Sequence, residues 1–230
     1  MNKIYELEAL RGIASIYVLL HHTVFHFNII EKKSLLGFFF SFGDVAVMAF
    51  FLLSGFVISM SLNKNTYDFK EYFLHRFIRI YSIVFIAWIL SFLSYYLVNG
   101  MPKFEFLNII GNILMLQDLS GQKIGIVTTP IFNNSPLWSL SYEWWFYMFF
   151  FWHFYLYTKN YKDKLVLFQI SGMLISFFGL IFYTLNHNAI AIFMSYYFIW
   201  FSGALIFLHY MRSSLYTKAI LKVLLSYIFI

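Results

Sequence analysis

Four ionisable side chains lie within the first apolar stretch of the chain: Arg11, His21, His22 and His26. Such groups are costly inside a hydrophobic segment and are therefore candidates for function. On a helix, the eleven steps from Arg11 to His22 end about 20° past three full turns, which places both on one face, roughly 16 Å apart. His26 lies on nearly the same face, whereas His21 points away. This spacing suits anion binding at one depth and proton transfer at another.

A carboxylate occupies a comparable position in a later segment. Ser135 and Pro136 predict a helix start, and the following sequence LWSLSYEWWFY places Glu143 roughly 10 Å inside it. His22 lies at a similar depth if its helix runs the opposite way, and Asp44 does too. An imidazole beside a carboxylate is typical of a general base and its orienting partner. The alternative is that His22 is a packing residue and Glu143 partners any buried cation.

A second cluster is basic. Arg76 and Arg79 are three residues apart, so they share a helix face. Guanidinium groups suit phosphate, and with Arg11 they form a candidate anion site. The small residues Ser54 and Gly55 would allow a ligand or a backbone to approach closely. The alternatives are ordinary membrane anchors for the arginines and a helix-packing notch for Ser54 and Gly55.

The composition requires a membrane setting for these residues. The 230 residues are 61% hydrophobic, 24% aromatic and only 11% charged, whereas soluble domains carry roughly 25% charged residues. This excludes a soluble enzyme, a nucleic-acid-binding domain and a disordered protein. The absence of cysteine excludes disulfides and a thiolate metal site. No metal site is expected, since the histidines lack a ligand set, and His153, His187 and His209 are interpreted as rim residues.

The hydrophobic pattern predicts an all-α polytopic transmembrane bundle with about seven apolar helices, forming a single domain over 1–230. A short re-entrant or interfacial helix is expected near 104–119, which is too short to span. A seventh segment begins near 219 and stops at Ile230, so the last helices of the bundle are expected to be missing. The six complete segments lie at about 9–30, 36–62, 77–98, 137–157, 165–185 and 189–210.

The distribution of basic residues sets the expected orientation. If 104–119 does not span, eleven Lys and Arg residues lie on the side of the N-terminus and four on the opposite side. Basic residues collect in cytoplasmic loops. The sequence therefore predicts a cytoplasmic N-terminus and an external loop over 99–136. The start of the chain has no signal-peptide pattern, so the first segment is expected to remain in the membrane.

Taken in order, the motifs LEALRGIASIYVLLHH, FFLLSGFVIS, HRFIRIY and LWSLSYEWWFY resemble acyltransferase family 3, over about residues 5–210. This is a family of bacterial polytopic O-acyltransferases that modify polysaccharides and related acceptors. The spaced arginine and histidine of the family fall on Arg11 and His22, and its R-x-x-R falls on Arg76 and Arg79. Ser82 stands where proline is common. The remaining motifs fall on Phe50–Phe56, Trp138–Glu143 and Trp200–Gly203.

The resemblance implies an acyl-CoA donor, most commonly acetyl-CoA, at the cytoplasmic face of the bacterial plasma membrane. Its phosphates would bind Arg11, Arg76 and Arg79, with Ser54 and Gly55 close to the donor. His22 would take the proton of an acceptor hydroxyl, and Glu143 would orient it. Asp44 is the less favoured partner, and His26 and Trp138 are possible supporting residues.

The expected partners are the lipid bilayer, acyl-CoA and a polysaccharide or other hydroxyl acceptor, without nucleic acid and without a permanently bound cofactor. Two alternatives stay open. A proton-coupled transporter or flippase would use the buried His and Glu as a relay, although no internal repeat is present. A truncated, inactive acyltransferase would keep the motifs without the activity.

Overall fold

The computed structural model describes residues 5–26, 28–31, 33–64, 68–160 and 165–212. This part of the chain is 82% helical and contains no β-strand. Two short 3-10 turns (Ile131–Asn133 and Ser135–Leu137) precede the sixth helix. The α-helices are α1 (Tyr5–His26), α2 (Leu35–Phe40), α3 (Gly43–Lys64), α4 (Phe69–Asn99), α5 (Phe106–Ile113), α6 (Trp138–Asn160), α7 (Leu165–Leu185) and α8 (Ala189–Arg212).

The chain divides into two compact units. Unit 1 comprises Met1–Thr66 and Ile199–Ile230, and unit 2 comprises Tyr67–Phe198. The division falls inside α8, so the first part of this helix belongs to unit 2 and the remainder to unit 1.

The apolar segments follow the sequence pattern with two differences. The predicted segment 36–62 is broken at Ser41 and Phe42 into α2 and α3. The ambiguous stretch 104–119 forms only the eight-residue α5, which at about 12 Å is too short to cross a bilayer. The predicted segment near 219 lies outside the described residues.

Four stretches of the described chain are long and apolar enough to cross a membrane. The first joins α2 to α3, and the others are α4, α7 and α8. A shorter apolar stretch lies within α1, at Ala9–Phe25. The predicted count of about seven spans is therefore not confirmed. The large apolar side chains exposed along α4, including Ile83, Phe85 and Ile86, are those expected of a lipid-facing surface.

In unit 1, α3 and α8 touch through their backbones. A methyl group at Gly55 would lie 1.9 Å from the carbonyl oxygen of Trp200, and one at Gly203 would lie 1.8 Å from that of Leu52. Only glycine fits at both positions. Small residues allow such close approach between apolar helices.

Side chains of α1 form hydrogen bonds with the end of α2, next to the break between α2 and α3. His21 lies 2.6 Å through Nδ1 from the carbonyl oxygen of Phe40, so that nitrogen carries the donated proton. The Tyr17 hydroxyl donates to the carbonyl oxygen of Phe39. A side chain at Gly43 would meet the His21 ring at 2.5 Å. Two side chains of α1 thus hydrogen-bond the end of α2, and one of them packs against the first residue of α3.

In unit 2, His153 of α6 joins two other helices. Its Nδ1 lies 2.9 Å from the Tyr197 hydroxyl of α8, and its Nε2 lies 2.9 Å from the Ser171 hydroxyl of α7. His153 therefore has two partners that the sequence did not reveal, whereas its position at the rim stays a prediction. The partners were missed because both lie far away in the sequence. The side chains of His187 and His209 are exposed.

Candidate active site

Unit 1 carries the predicted arginine and histidine on one unbroken helix. Because α1 is one continuous α-helix from Tyr5 to His26, the rotation of about 100° per residue places Arg11 and His22 on one face. Arg11 is only 6% exposed, and its guanidinium carbon lies 5.1 Å from the ring centre of Phe50 in α3. His22 is half-buried and meets the ring of His21 edge-on at 5.2 Å.

The other predicted residues of unit 1 have settings that packing explains. Asp44 is exposed in the first turn of α3, where a carboxylate stabilises the helix N-terminus. Ser54 is fully buried, and Gly55 lies against the backbone of α8. The assignment of Ser54 and Gly55 to a donor site stays a prediction. The side chain of His26 lies outside the described part of the chain.

Unit 2 buries the predicted carboxylate. Glu143 lies in the second turn of α6 and is 4% exposed. It accepts a hydrogen bond from the hydroxyl of Tyr147, which lies one turn further along the same helix. The backbone carbonyl of Tyr147 in turn accepts a 3.0 Å hydrogen bond from the Tyr72 hydroxyl of α4. Buried polar groups are normally hydrogen-bonded in this way, and the bond fixes the direction of the carboxylate.

The two arginines of α4 differ in their surroundings. Arg76 is 8% exposed, and its guanidinium carbon lies 5.3 Å from the Tyr72 ring and 5.7 Å from the Tyr147 ring. These distances are typical of cation–π contacts. Arg79 is exposed. The R-x-x-R motif therefore supplies one buried and one exposed cation.

Tyr147 connects two predicted site residues, since it hydrogen-bonds Glu143 and its ring faces Arg76. Sequence reasoning missed both tyrosines of this group. The available signal was helical spacing, because Tyr147 follows Glu143 by four residues and Tyr72 precedes Arg76 by four. The predicted contact between His22 and Glu143 involves residues of different units and stays a prediction. The same holds for the predicted anion site of Arg11, Arg76 and Arg79.

The start of α6 differs from its predicted form. Ser135 and Pro136 lie in a 3-10 turn, and the α-helix begins at Trp138. The Trp138 ring centre lies 3.7 Å from the Nζ atom of Lys123, which forms a 2.8 Å ion pair with Asp118. Both members of this pair are buried, although the sequence placed them in an external loop.

The comparison with known families gives one match. A family model described as an acyltransferase domain matches residues 4–230. The chain belongs to acyltransferase family 3. Searches of curated proteins and of solved structures gave no match. Its several apolar helices and its acyltransferase domain together indicate a multi-pass membrane protein.

A cavity of about 640 Å³ lies within the part of the acyltransferase domain that forms unit 2. Its wall is almost wholly apolar and aromatic, and its few polar residues are joined by hydrogen bonds. Small-molecule sites commonly have this size and lining. Representative wall residues are Phe73, Trp144, Trp145 and Phe193, with Asp118 and Tyr142 among the polar ones.

Metal ligands are not gathered in the described residues of the domain. No group of three or more His, Asp or Glu side chains lies close enough there to hold a metal ion.

Proposed function

We propose that the chain is a membrane-embedded O-acyltransferase that transfers an acyl group, most commonly acetyl, from acyl-CoA to a hydroxyl of a cell-surface polysaccharide or related acceptor. The observation that carries the proposal is the family match over residues 4–230. Its motif residues Arg11, Arg76 and Glu143 are all buried. Burying charged groups is expensive, which makes these three residues candidates for a functional site.

In the proposed reaction, His22 takes the proton from the acceptor hydroxyl. The hydroxyl oxygen attacks the thioester carbonyl, a C–O bond forms, the C–S bond breaks, and the CoA thiolate leaves with the proton returned from His22. Glu143 orients the imidazole and stabilises its protonated form, as a carboxylate does in other acyl transfers. The hydrogen bond from Tyr147 supports this role because it holds the carboxylate in one direction.

The donor is proposed to bind at the cytoplasmic face of a bacterial plasma membrane. Arg11, Arg76 and Arg79 would hold its phosphates, since guanidinium groups bind phosphate in a bidentate manner. The excess of Lys and Arg on the side of the N-terminus supports this orientation.

Replacement of the proposed base tests the function. In cells that express the chain, we expect His22→Ala to lower the ester-linked acyl content of surface polysaccharide, because the rate of transfer falls by about 10²- to 10⁴-fold, the usual contribution of a general base. His187→Ala, at an exposed histidine, is the matched control and should leave that content unchanged. Equal acyl content with His22→Ala and the unchanged chain, at equal amounts in the membrane, would contradict the proposal.

A further inference from the structure

The ion pair between Asp118 and Lys123 lies outside the predicted catalytic group. Among the lysines whose side chains the structure describes, Lys123 alone is buried. Its Nζ lies 2.8 Å from Asp118 Oδ1 and within 5 Å of three aromatic ring centres, those of Trp138, Tyr142 and Tyr196. A desolvated lysine is costly unless it is paired and surrounded in this way. Such an arrangement indicates a role that a solvated loop lysine would not have.

Asp118 is the centre of the cluster. Its Oδ1 accepts from Lys123 and, at 2.8 Å, from the backbone N–H of Leu119. Its Oδ2 accepts from the Tyr142 hydroxyl. Its own N–H donates to the carbonyl oxygen of Thr128 at 2.9 Å. The carboxylate therefore connects the loop between α5 and α6 to Tyr142 of α6. Tyr142 directly precedes Glu143 in the chain.

The neighbouring loop residues bind the same part of α6. The carbonyl oxygen of Gln117 accepts from the Ser141 hydroxyl at 2.8 Å, and that of Met115 accepts from the Trp145 indole N–H at 3.0 Å. These bonds lie on both sides of Glu143 in the sequence. Helix α6 cannot rotate or slide relative to the loop without breaking them together.

We propose that Asp118, paired with Lys123, is a positioning residue for Glu143. Its bond to Tyr142 sets the rotation of the second turn of α6, and Glu143 lies about 100° further round that turn. A catalytic group has to be held within about 0.5 Å of its productive position. The positioning role rests on the proposed acyltransferase function, whereas the fixing of the helix does not.

Two double variants separate positioning from simple support of the fold. Asp118→Asn with Lys123→Met removes both charges and keeps an oxygen that accepts from Tyr142. Asp118→Leu with Lys123→Met removes the charges and the acceptor. Removing both members of a buried pair is often tolerated, so we expect both double variants to fold. The Leu-containing one should have the lower midpoint of thermal unfolding, because the Tyr142 hydroxyl and the Leu119 N–H lose their acceptor.

The kinetic readout uses labelled acetyl-CoA and membrane vesicles, with ester-linked label counted in the polysaccharide fraction per folded protein. The Leu-containing double variant should lose about tenfold to a hundredfold of kcat relative to the Asn-containing one, since small misplacements of catalytic groups have effects of this size. KM for acetyl-CoA should change less than kcat. Tyr142→Phe should cause a similar loss, without a further loss in the Leu-containing background. Equal kcat in the two double variants would overturn the proposal.

Backbone amide exchange over residues 138–146 gives a readout that needs no substrate. We expect faster exchange in the Leu-containing double variant than in the Asn-containing one, and equal protection would overturn the fixing of α6 by Asp118. If the unchanged chain transfers no more label than His22→Ala, the proposed function fails. The exchange measurement then still decides whether Asp118 holds the helix.

Discussion

Two contacts in the molecule hold a motif-bearing helix by opposite means. In unit 1, α3 meets α8 at Gly55 and Gly203, where the absence of side chains allows the backbones to touch. In unit 2, the loop meets α6 through the buried pair of Asp118 and Lys123. The first contact tolerates no added atom. We expect the second to tolerate the loss of both charges better than the loss of one, because a single buried charge lacks compensation.

The largest expected effect tests the polar contact, which is the one between the loop and α6 in unit 2. Lys123→Met leaves the buried Asp118 carboxylate without its counter-charge, which should lower the free energy of unfolding by about 3–5 kcal/mol. Denaturant titration in detergent measures this value. Lys103→Met, at an exposed lysine, is the control and should stay within about 0.5 kcal/mol of the unchanged chain. Similar values for the two variants would show that the ion pair does not stabilise the loop.

The close backbone contact between α3 and α8 in unit 1 should respond to one added methyl group. Gly55→Ala places that group 1.9 Å from the Trp200 carbonyl oxygen, so α3 and α8 must separate, at a cost of about 1–3 kcal/mol. Gly12→Ala is the matched control, because no atom lies within 4 Å of its added methyl group. A Gly55→Ala chain that unfolds normally but binds acetyl-CoA weakly would instead favour the donor-site interpretation.

The two contacts also differ in how far the sequence predicts them. A small-residue notch at Ser54 and Gly55 is visible in the sequence, because both interrupt a long apolar run. The pairing of Asp118 with Tyr142 is not visible, since these residues are 24 positions apart and no local spacing joins them. The same limit applies to His153, whose partners belong to two other helices.

Helix positions were more predictable than helix interruptions. The apolar segments reproduce most of the long helices because about 20 apolar residues are a strong signal. The break at Ser41 and Phe42 was missed, since the flanking run is apolar on both sides and contains no proline. Its consequence is local but important: Asp44 lies at a helix start and not in mid-segment.

The buried Arg76 and the exposed Arg79 of α4 can be compared by their effects on donor binding. If burial marks the cation that serves the donor, Arg76→Gln should weaken acetyl-CoA binding by about tenfold or more, as expected for a lost charged hydrogen bond. Arg79→Gln is the matched variant and should change affinity by about fivefold at most, because exposed ion pairs contribute little. Calorimetric titration of the purified protein measures both. A larger effect at Arg79 would reverse the assignment.

The smallest effect tests whether the polar contact is centred on its ion pair. The Ser141 hydroxyl donates to the Gln117 carbonyl oxygen at 2.8 Å, so Ser141→Ala should cost about 1 kcal/mol of unfolding free energy. Ser139→Ala is the control, since that hydroxyl bonds only weakly to its own turn, at 3.3 Å from the Pro136 carbonyl oxygen. A loss at Ser141 as large as that of Lys123→Met would mean that the loop is held evenly along α6. The positioning role of Asp118 would then be shared with its neighbours.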